Sequence, residues 1–311
     1  MDKKIPVWID TDCGVDDALA IVTALKMKEL AIVGLSSVAG NAEHRYTYRN
    51  TRNVVALAGY DIPVYKGAER PLMIELETAA YVHGEDGLGG AIIPESKAKE
   101  ETEYAWDALY HKAEEYDGEL VVCAVGPLTN IAITIAKYPD FVKKIKCLNI
   151  MGGTIAKGGN VSPVGEFNIY VDPHAAEVCF KSGVHINVFG LDVTTECYLS
   201  KADFEEIVAY DNPISKLIND AMTFYLKNYH EGKKSLICMH DSCPLLYLAY
   251  PQWFTGYDCG VHVETRGGIS FGKTLSDLYC YTKFPEVNAT VFMSCQREKI
   301  VAVVKKLLAE Y

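Results

Sequence analysis

Apolar and polar positions alternate between two periods along the first two thirds of the chain. Ile5–Ile9 is a short apolar run of the kind that forms a buried strand. From Asp16 to Lys28 the period lengthens, placing Ala18, Ile21, Val22 and Leu25 on one helical face. The exchange then repeats. Leu30–Val38 predicts a strand and Glu43–Ala58 a helix; Glu119–Val125 predicts a strand and Leu128–Lys137 a helix. Ile145–Met151 predicts a strand, Pro173–Lys181 a helix and His185–Leu191 a strand. Near-continuous apolar strands separated by amphipathic helices build a parallel sheet covered on both faces. Two more helices are expected at Lys201–Tyr210 and Pro213–Tyr229, strands and turns over Gly260–Val291, and a closing helix at Glu298–Leu308. No repeat, low-complexity tract or linker interrupts the pattern. The reading is α/β: a single open, mostly parallel, Rossmann-like sheet with helices on both faces and a small C-terminal strand and turn region. Residues 1–311 are expected to form one domain.

In open parallel sheets, ligands sit beyond the carboxyl ends of the strands. The loops there are Asp10–Asp17, Ala39–Asn41, Gly126–Asn130, Gly152–Asn168 and Asp192–Thr195, and most are rich in Asp, Asn, Gly or Glu. The first packs Asp10, Asp12, Asp16 and Asp17 around Gly14. Carboxylates this close raise one another's pKa unless a cation neutralises them, and a hard divalent ion with oxygen ligands suits them. Gly14 lets the backbone fold back so that acids on either side face one centre. Helix capping by Asp16 and Asp17 accounts for two of the four acids and leaves two unexplained. The spacing is not that of an EF-hand.

The segment from Asp10 to Ala18 closely resembles the N-terminal signature of the calcium-dependent nucleoside hydrolases, the inosine-uridine-preferring family. Val38–Asn41, His83-Gly84-Glu85 with Gly87-Leu88-Gly89, Gly126–Asn130, Met151–Gly153 and Gly159-Asn160 follow in the family's order. So do Glu166–Asn168, Val171–Pro173 and His240-Asp241. The resemblance implies hydrolysis of ribonucleosides to ribose and a free purine or pyrimidine base. It implies one Ca²⁺ held by Asp12, Asp17, Asp241 and the Val125 carbonyl, with Asp12 also the base that activates water. Asp10 is expected to support the loop rather than touch the metal. Asp16, Asn41, Asn160, Glu166 and Asn168 match the positions that grip ribose. His240 is the expected acid for the departing base, and His83 is expected beside the sugar or base. Tyr225 and Tyr229, one helical turn apart, suit either a stacking wall for the base or the core. Three departures stand out. Cys13 replaces a usual proline, Asp86 a small polar residue, and Ser242-Cys243 separate Asp241 from Pro244.

Composition narrows the alternatives. Nearly half of the 311 residues are apolar (49%), and 30 basic against 41 acidic side chains give a net charge of −11, so disorder is excluded. The acidic balance argues against nucleic acid or anionic lipid as a partner, and nothing approaches a membrane span of about 20 apolar residues. Ten scattered cysteines without a CxxC pair and a first stretch unlike a secretory signal point to reduced thiols in the cytoplasm. The family likeness implies a homodimer or homotetramer. Two other readings compete. One is a haloacid-dehalogenase-like phosphatase, which the Asp10-x-Asp12 pair resembles but which leaves Asp16-Asp17 unexplained. The other is a non-catalytic, calcium-dependent binder of ribose or nucleoside. Gly267–Thr274 fits the phosphate-loop pattern GxxxxGK[ST], but the residues after it predict a strand where that loop needs a helix.

Overall fold

The computed structural model describes residues 3–228, 236–277 and 287–311. The strands in chain order are β1 (Ile5–Thr11), β2 (Leu30–Ser37), β3 (Val64–Lys66), β4 (Leu120–Ala124), β5 (Ile145–Met151), β6 (Ile186–Phe189), β7 (Tyr198–Leu199), β8 (Ile237–Cys238), β9 (Phe254–Cys259), β10 (Val261–Val263), β11 (Thr274–Ser276) and β12 (Ala289–Cys295). Eight of them form one sheet in the order β3-β2-β1-β4-β5-β6-β12-β9, and β7-β8 and β10-β11 form two short antiparallel pairs. Within the large sheet only the edge pair β12-β9 is antiparallel.

The near-continuous apolar runs follow from burial on both faces. Val7 and Ile9 of β1 enter one core, with Leu19, Ile21 and Val22 of the helix Val15–Lys26. Trp8 points the other way, into a second core with Leu109, Leu120, Val122 and Ile131. A strand with core on both sides has no polar face to show, so the alternation typical of half-buried strands is missing. The helices predicted by amphipathic period are present with ends moved by one or two residues, as at His44–Leu57, Thr129–Lys137, Pro173–Phe180 and Arg297–Leu308.

The sheet reaches further than the apolar pattern indicates. β12 pairs parallel to β6 and β9 closes the edge, so the C-terminal strands extend the main sheet instead of forming only a separate small region. Among the described elements that escaped prediction, besides several shorter ones, are β3, the helix Ala105–Tyr116 and the helix Ser242–Ala249. The last reads Ser-Cys-Pro-Leu-Leu-Tyr-Leu-Ala and is buried from Ser242 to Leu246, so it has no polar stripe to mark a helical period. No helix among the described residues is long and apolar enough to cross a membrane.

From β1 the chain proceeds outward to β2 and β3, then returns to lay β4 on the other side of β1. The carboxyl ends of β1 and β4 therefore flank the point where strand order reverses, which opens a crevice at that edge.

Candidate active site

The crevice is lined by Asp16, Asn41, Val125, Met151, Asn160, Glu166, Asn168, Tyr225, His240 and Asp241, together with Ala79, Tyr81, Val82, His83 and Phe167. Segments distant in sequence converge here because most follow the carboxyl end of a strand, while Asp241 precedes the helix Ser242–Ala249 and Tyr225 lies on the helix Pro213–Asn228. Among the residues expected at the site, Tyr229 lies outside the described residues. Asp12 and Asp17 are wholly buried and are not part of that lining.

The acidic loop is held by its own side chains. The Asp17 carboxylate accepts from Thr11 Oγ1 at 2.5 Å, the Gly14 N–H at 2.9 Å and Asn41 Nδ2 at 3.0 Å. The capping reading thus applies to Asp17, which closes the first turn of Val15–Lys26 over Gly14. Asp12 Oδ2 accepts the Asn41 N–H at 2.7 Å, whereas Asp12 Oδ1 is buried with no hydrogen-bond partner. Two glycines make room for that carboxylate. A Cβ on Gly126 would stand 2.8 Å from Asp12 Oδ1, and one on Gly40 would strike Oδ2. Asp10 turns away and takes bonds from Ser36 Oγ (2.5 Å) and Asn130 Nδ2 (2.7 Å). Cys13 is fully buried in the core, and its carbonyl accepts from Asn50 at 3.3 Å.

Oxygens of Asp16, Asp17 and Asp241 lie within 4.8 Å of one another. Burial, then the Asp17 charge, pushes Asp16 up to about 7. Burial and the neighbouring aspartates hold Asp12 and Asp241 well above the ordinary carboxylate range. Among the described residues no salt bridge reaches Asp12, Asp16, Asp17 or Asp241. The clustered acids, Asp16, Asp17 and Asp241, make a donor set that fits a hard cation; they include Asp16, expected on the ribose, and not Asp12, expected as a ligand, although Asp12 keeps a bondless oxygen.

Around these acids stand the neutral groups. Asn168 Nδ2 donates to the Val125 carbonyl at 2.8 Å and the Met151 carbonyl at 3.1 Å. Glu166 accepts three backbone N–H groups, from Gly153, Asn168 and Ile169, yet burial dominates and raises it to about 7. Asn160 Oδ1 accepts the Phe167 N–H at 3.0 Å. His83 Nδ1 accepts the Val15 N–H at 3.1 Å, so its proton sits on Nε2, and burial lowers its pKa to about 3. His83 is therefore a fixed neutral donor. His240 Nδ1 lies 2.8 Å from Thr194 Oγ1, and after burial the nearby His240 also opposes protonation of His83. Asp86 closes the turn beyond His83, accepting from the Leu88 and Gly90 N–H groups. Tyr81, Met151 and Thr194 were missed as site residues. Thr194 lay in a loop already marked by its place after a strand and Met151 in a motif of the family likeness, whereas nothing local distinguishes Tyr81.

An open parallel sheet with a carboxylate-floored crevice at its switch point, walled by amides and histidines, defines an α/β enzyme acting on a small polyhydroxylated substrate. The model of the inosine-uridine preferring nucleoside hydrolases matches residues 7–302. The chain is 38% identical over 311 residues to the pyrimidine-specific ribonucleoside hydrolase RihA of Citrobacter koseri, covering 99% of both. A solved plant nucleoside hydrolase, PpNRh1, superimposes with a TM-score of 0.93 at 33% identity, over 99% of this chain and 100% of that one. The purine-preferring ribonucleoside hydrolase of Gardnerella vaginalis gives 0.92 at 28% identity, over 98% of each. The chain belongs to the inosine-uridine preferring nucleoside hydrolase family, and its reaction is hydrolysis of ribonucleosides to ribose and free base.

Proposed function

We propose that this nucleoside hydrolase works with one Ca²⁺ held by Asp12, Asp17, Asp241 and the Val125 carbonyl, and that it favours pyrimidine ribonucleosides. The cluster of buried acids with a bondless Asp12 oxygen carries the metal reading. When bound, the cation lowers the pKa of a water and fixes its position. Asp12, with its bondless Oδ1, would be the base that takes a proton from the attacking water. Asp16, Asn41, Asn160, Glu166 and Asn168 grip the ribose hydroxyls, since amides and carboxylates pair with vicinal hydroxyls as both donors and acceptors. His240, oriented by Thr194, gives a proton to the departing base, and His83 donates from Nε2 beside it. Tyr225 walls the base side. The pyrimidine preference is supported by the name of the RihA relative. A cytoplasmic homodimer or homotetramer, with residues 1–311 as one domain, completes the proposal by family likeness.

The test is a panel of uridine, cytidine, inosine, guanosine and their 2′-deoxy forms, assayed for released sugar before and after metal stripping. Ribose release from the ribonucleosides, loss of it on stripping and return with Ca²⁺ are expected, with pyrimidines cleaved faster. Full activity in protein shown to be metal-free by elemental analysis overturns the metal reading, and faster purine cleavage overturns the preference.

A further inference from the structure

Asp192 opens the short helix Leu191–Thr194 directly after β6 and is 2% exposed. Its carboxylate gathers three consecutive backbone N–H groups of the Gly152–Asn168 loop. Ile155 donates at 2.6 Å, Ala156 at 2.8 Å and Lys157 at 3.0 Å. The carbonyls of the same stem face a cation. Lys273 Nζ donates to Thr154 at 2.6 Å and Ile155 at 3.2 Å. Thr274 Oγ1 donates to the Thr154 carbonyl at 2.8 Å and accepts the Thr154 N–H at 2.9 Å. Lys157 then reaches back to Thr195 Oγ1 (2.7 Å) and Glu196 (2.6 Å). Lys273 and Thr274 are the last letters of the phosphate-loop pattern. They are occupied by this loop, and Thr274 begins a strand.

The loop needs such a hold. It contains Gly152, Gly153, Gly158, Gly159 and Gly165, so its backbone is intrinsically free, while a group that orients a sugar must stay within a fraction of an ångström. Its other stem is tied through Glu166, which accepts the Gly153 N–H at 2.7 Å. We propose that Asp192 is a positioning residue for the ribose side of the site. With Lys273 and Thr274 it clasps the Thr154–Lys157 stem and so sets where Asn160 and Glu166 stand. The inference rests on the ribose-gripping role of those two residues.

The test compares Asp192→Asn, Lys273→Met and Asn160→Ala for kcat, KM, inhibition by free ribose and hydrogen exchange of the 153–168 segment. Asp192→Asn leaves one acceptor oxygen for three donors and turns an amide N–H₂ toward them. KM and the ribose inhibition constant are expected to rise about 10-fold, the scale of losing one charge-assisted hydrogen bond, with kcat changed less than about 3-fold. Exchange of the segment accelerates. Lys273→Met shifts all three readouts in the same direction by a smaller factor, and answers alone if Asp192→Asn does not fold. A purely structural role would lower Tm and leave KM and ribose inhibition where they were. Both clasp variants silent in those two constants while Asn160→Ala raises them overturns the inference alone. A silent Asn160→Ala overturns the ribose reading, and the inference with it.

Discussion

Removing the cation is expected to be answered by uptake of protons. Asp16, Asp17 and Asp241 present oxygens within 4.8 Å of one another, where at an effective dielectric of about 20 each like-charged pair costs about 3.5 kcal/mol. Three ionised groups then carry about 10 kcal/mol of repulsion, comparable with the ~5–15 kcal/mol that holds a domain folded. Burial first, and this repulsion after it, raises Asp16 to about 7 and holds Asp12 and Asp241 well above ordinary carboxyls, and protonation relieves both. In the unfolded chain the same groups titrate near 4. Between about pH 4 and about 7 the metal-free fold therefore holds protons that the unfolded chain has released. Its stability is fully present below that window and falls as pH rises through it, Asp16 alone contributing roughly 4 kcal/mol. A bound cation keeps the carboxylates ionised, so the Tm gain on adding Ca²⁺ should grow from pH 5 to pH 8. Binding at pH 7 should release protons. Titration calorimetry in buffers of different ionisation enthalpy counts them. No proton release at pH 7, or a Tm gain that shrinks with rising pH, refutes the reasoning.

Two substitutions test the chemistry. His240→Gln should lower kcat on nucleosides by about 10²–10⁴-fold but lower it less than about 10-fold on a p-nitrophenyl riboside, whose leaving group departs without a proton. Equal losses on both substrates remove His240 from the acid role. Gly40→Ala places a Cβ against Asp12 Oδ2 and 2.9 Å from the Pro127 ring. The displaced carboxylate should cost about 10²-fold in kcat with the circular dichroism spectrum unchanged; a kcat within about twofold of the parent contradicts the placement of Asp12.

Different parts of the molecule were unequally legible. β1, β4 and β5 announce themselves as apolar runs because each is buried in two cores. The loops after them are legible as functional because polar residues beyond a parallel strand have few structural uses. The helix Ser242–Ala249 was hidden by the same burial, since a segment covered all round shows no period. β3 is three residues long and leaves almost no pattern. Asp192 was visible only as one polar residue in a suspect loop, and its three N–H partners lie 35 to 37 positions earlier.

The sequence by itself determined the sheet's helical layers, the concentration of acid after the first strand and, through likeness, the family. Its local terms are enough for that, because strand and helix periods and like-charge crowding act between near neighbours. Only the tertiary structure decided which acids share a centre. It set Asp10 aside to bond Ser36 and Asn130, left one Asp12 oxygen bondless, and brought Asp241 beside Asp16 and Asp17. It likewise fixed His83 as a neutral donor through the Val15 N–H and committed Lys273 to Thr154 instead of a phosphate. These outcomes depend on the crossing of strand order between β1 and β4 and on partners far apart in the chain. Hydrogen bonding and desolvation are set by distance in space, which spacing along the sequence does not encode.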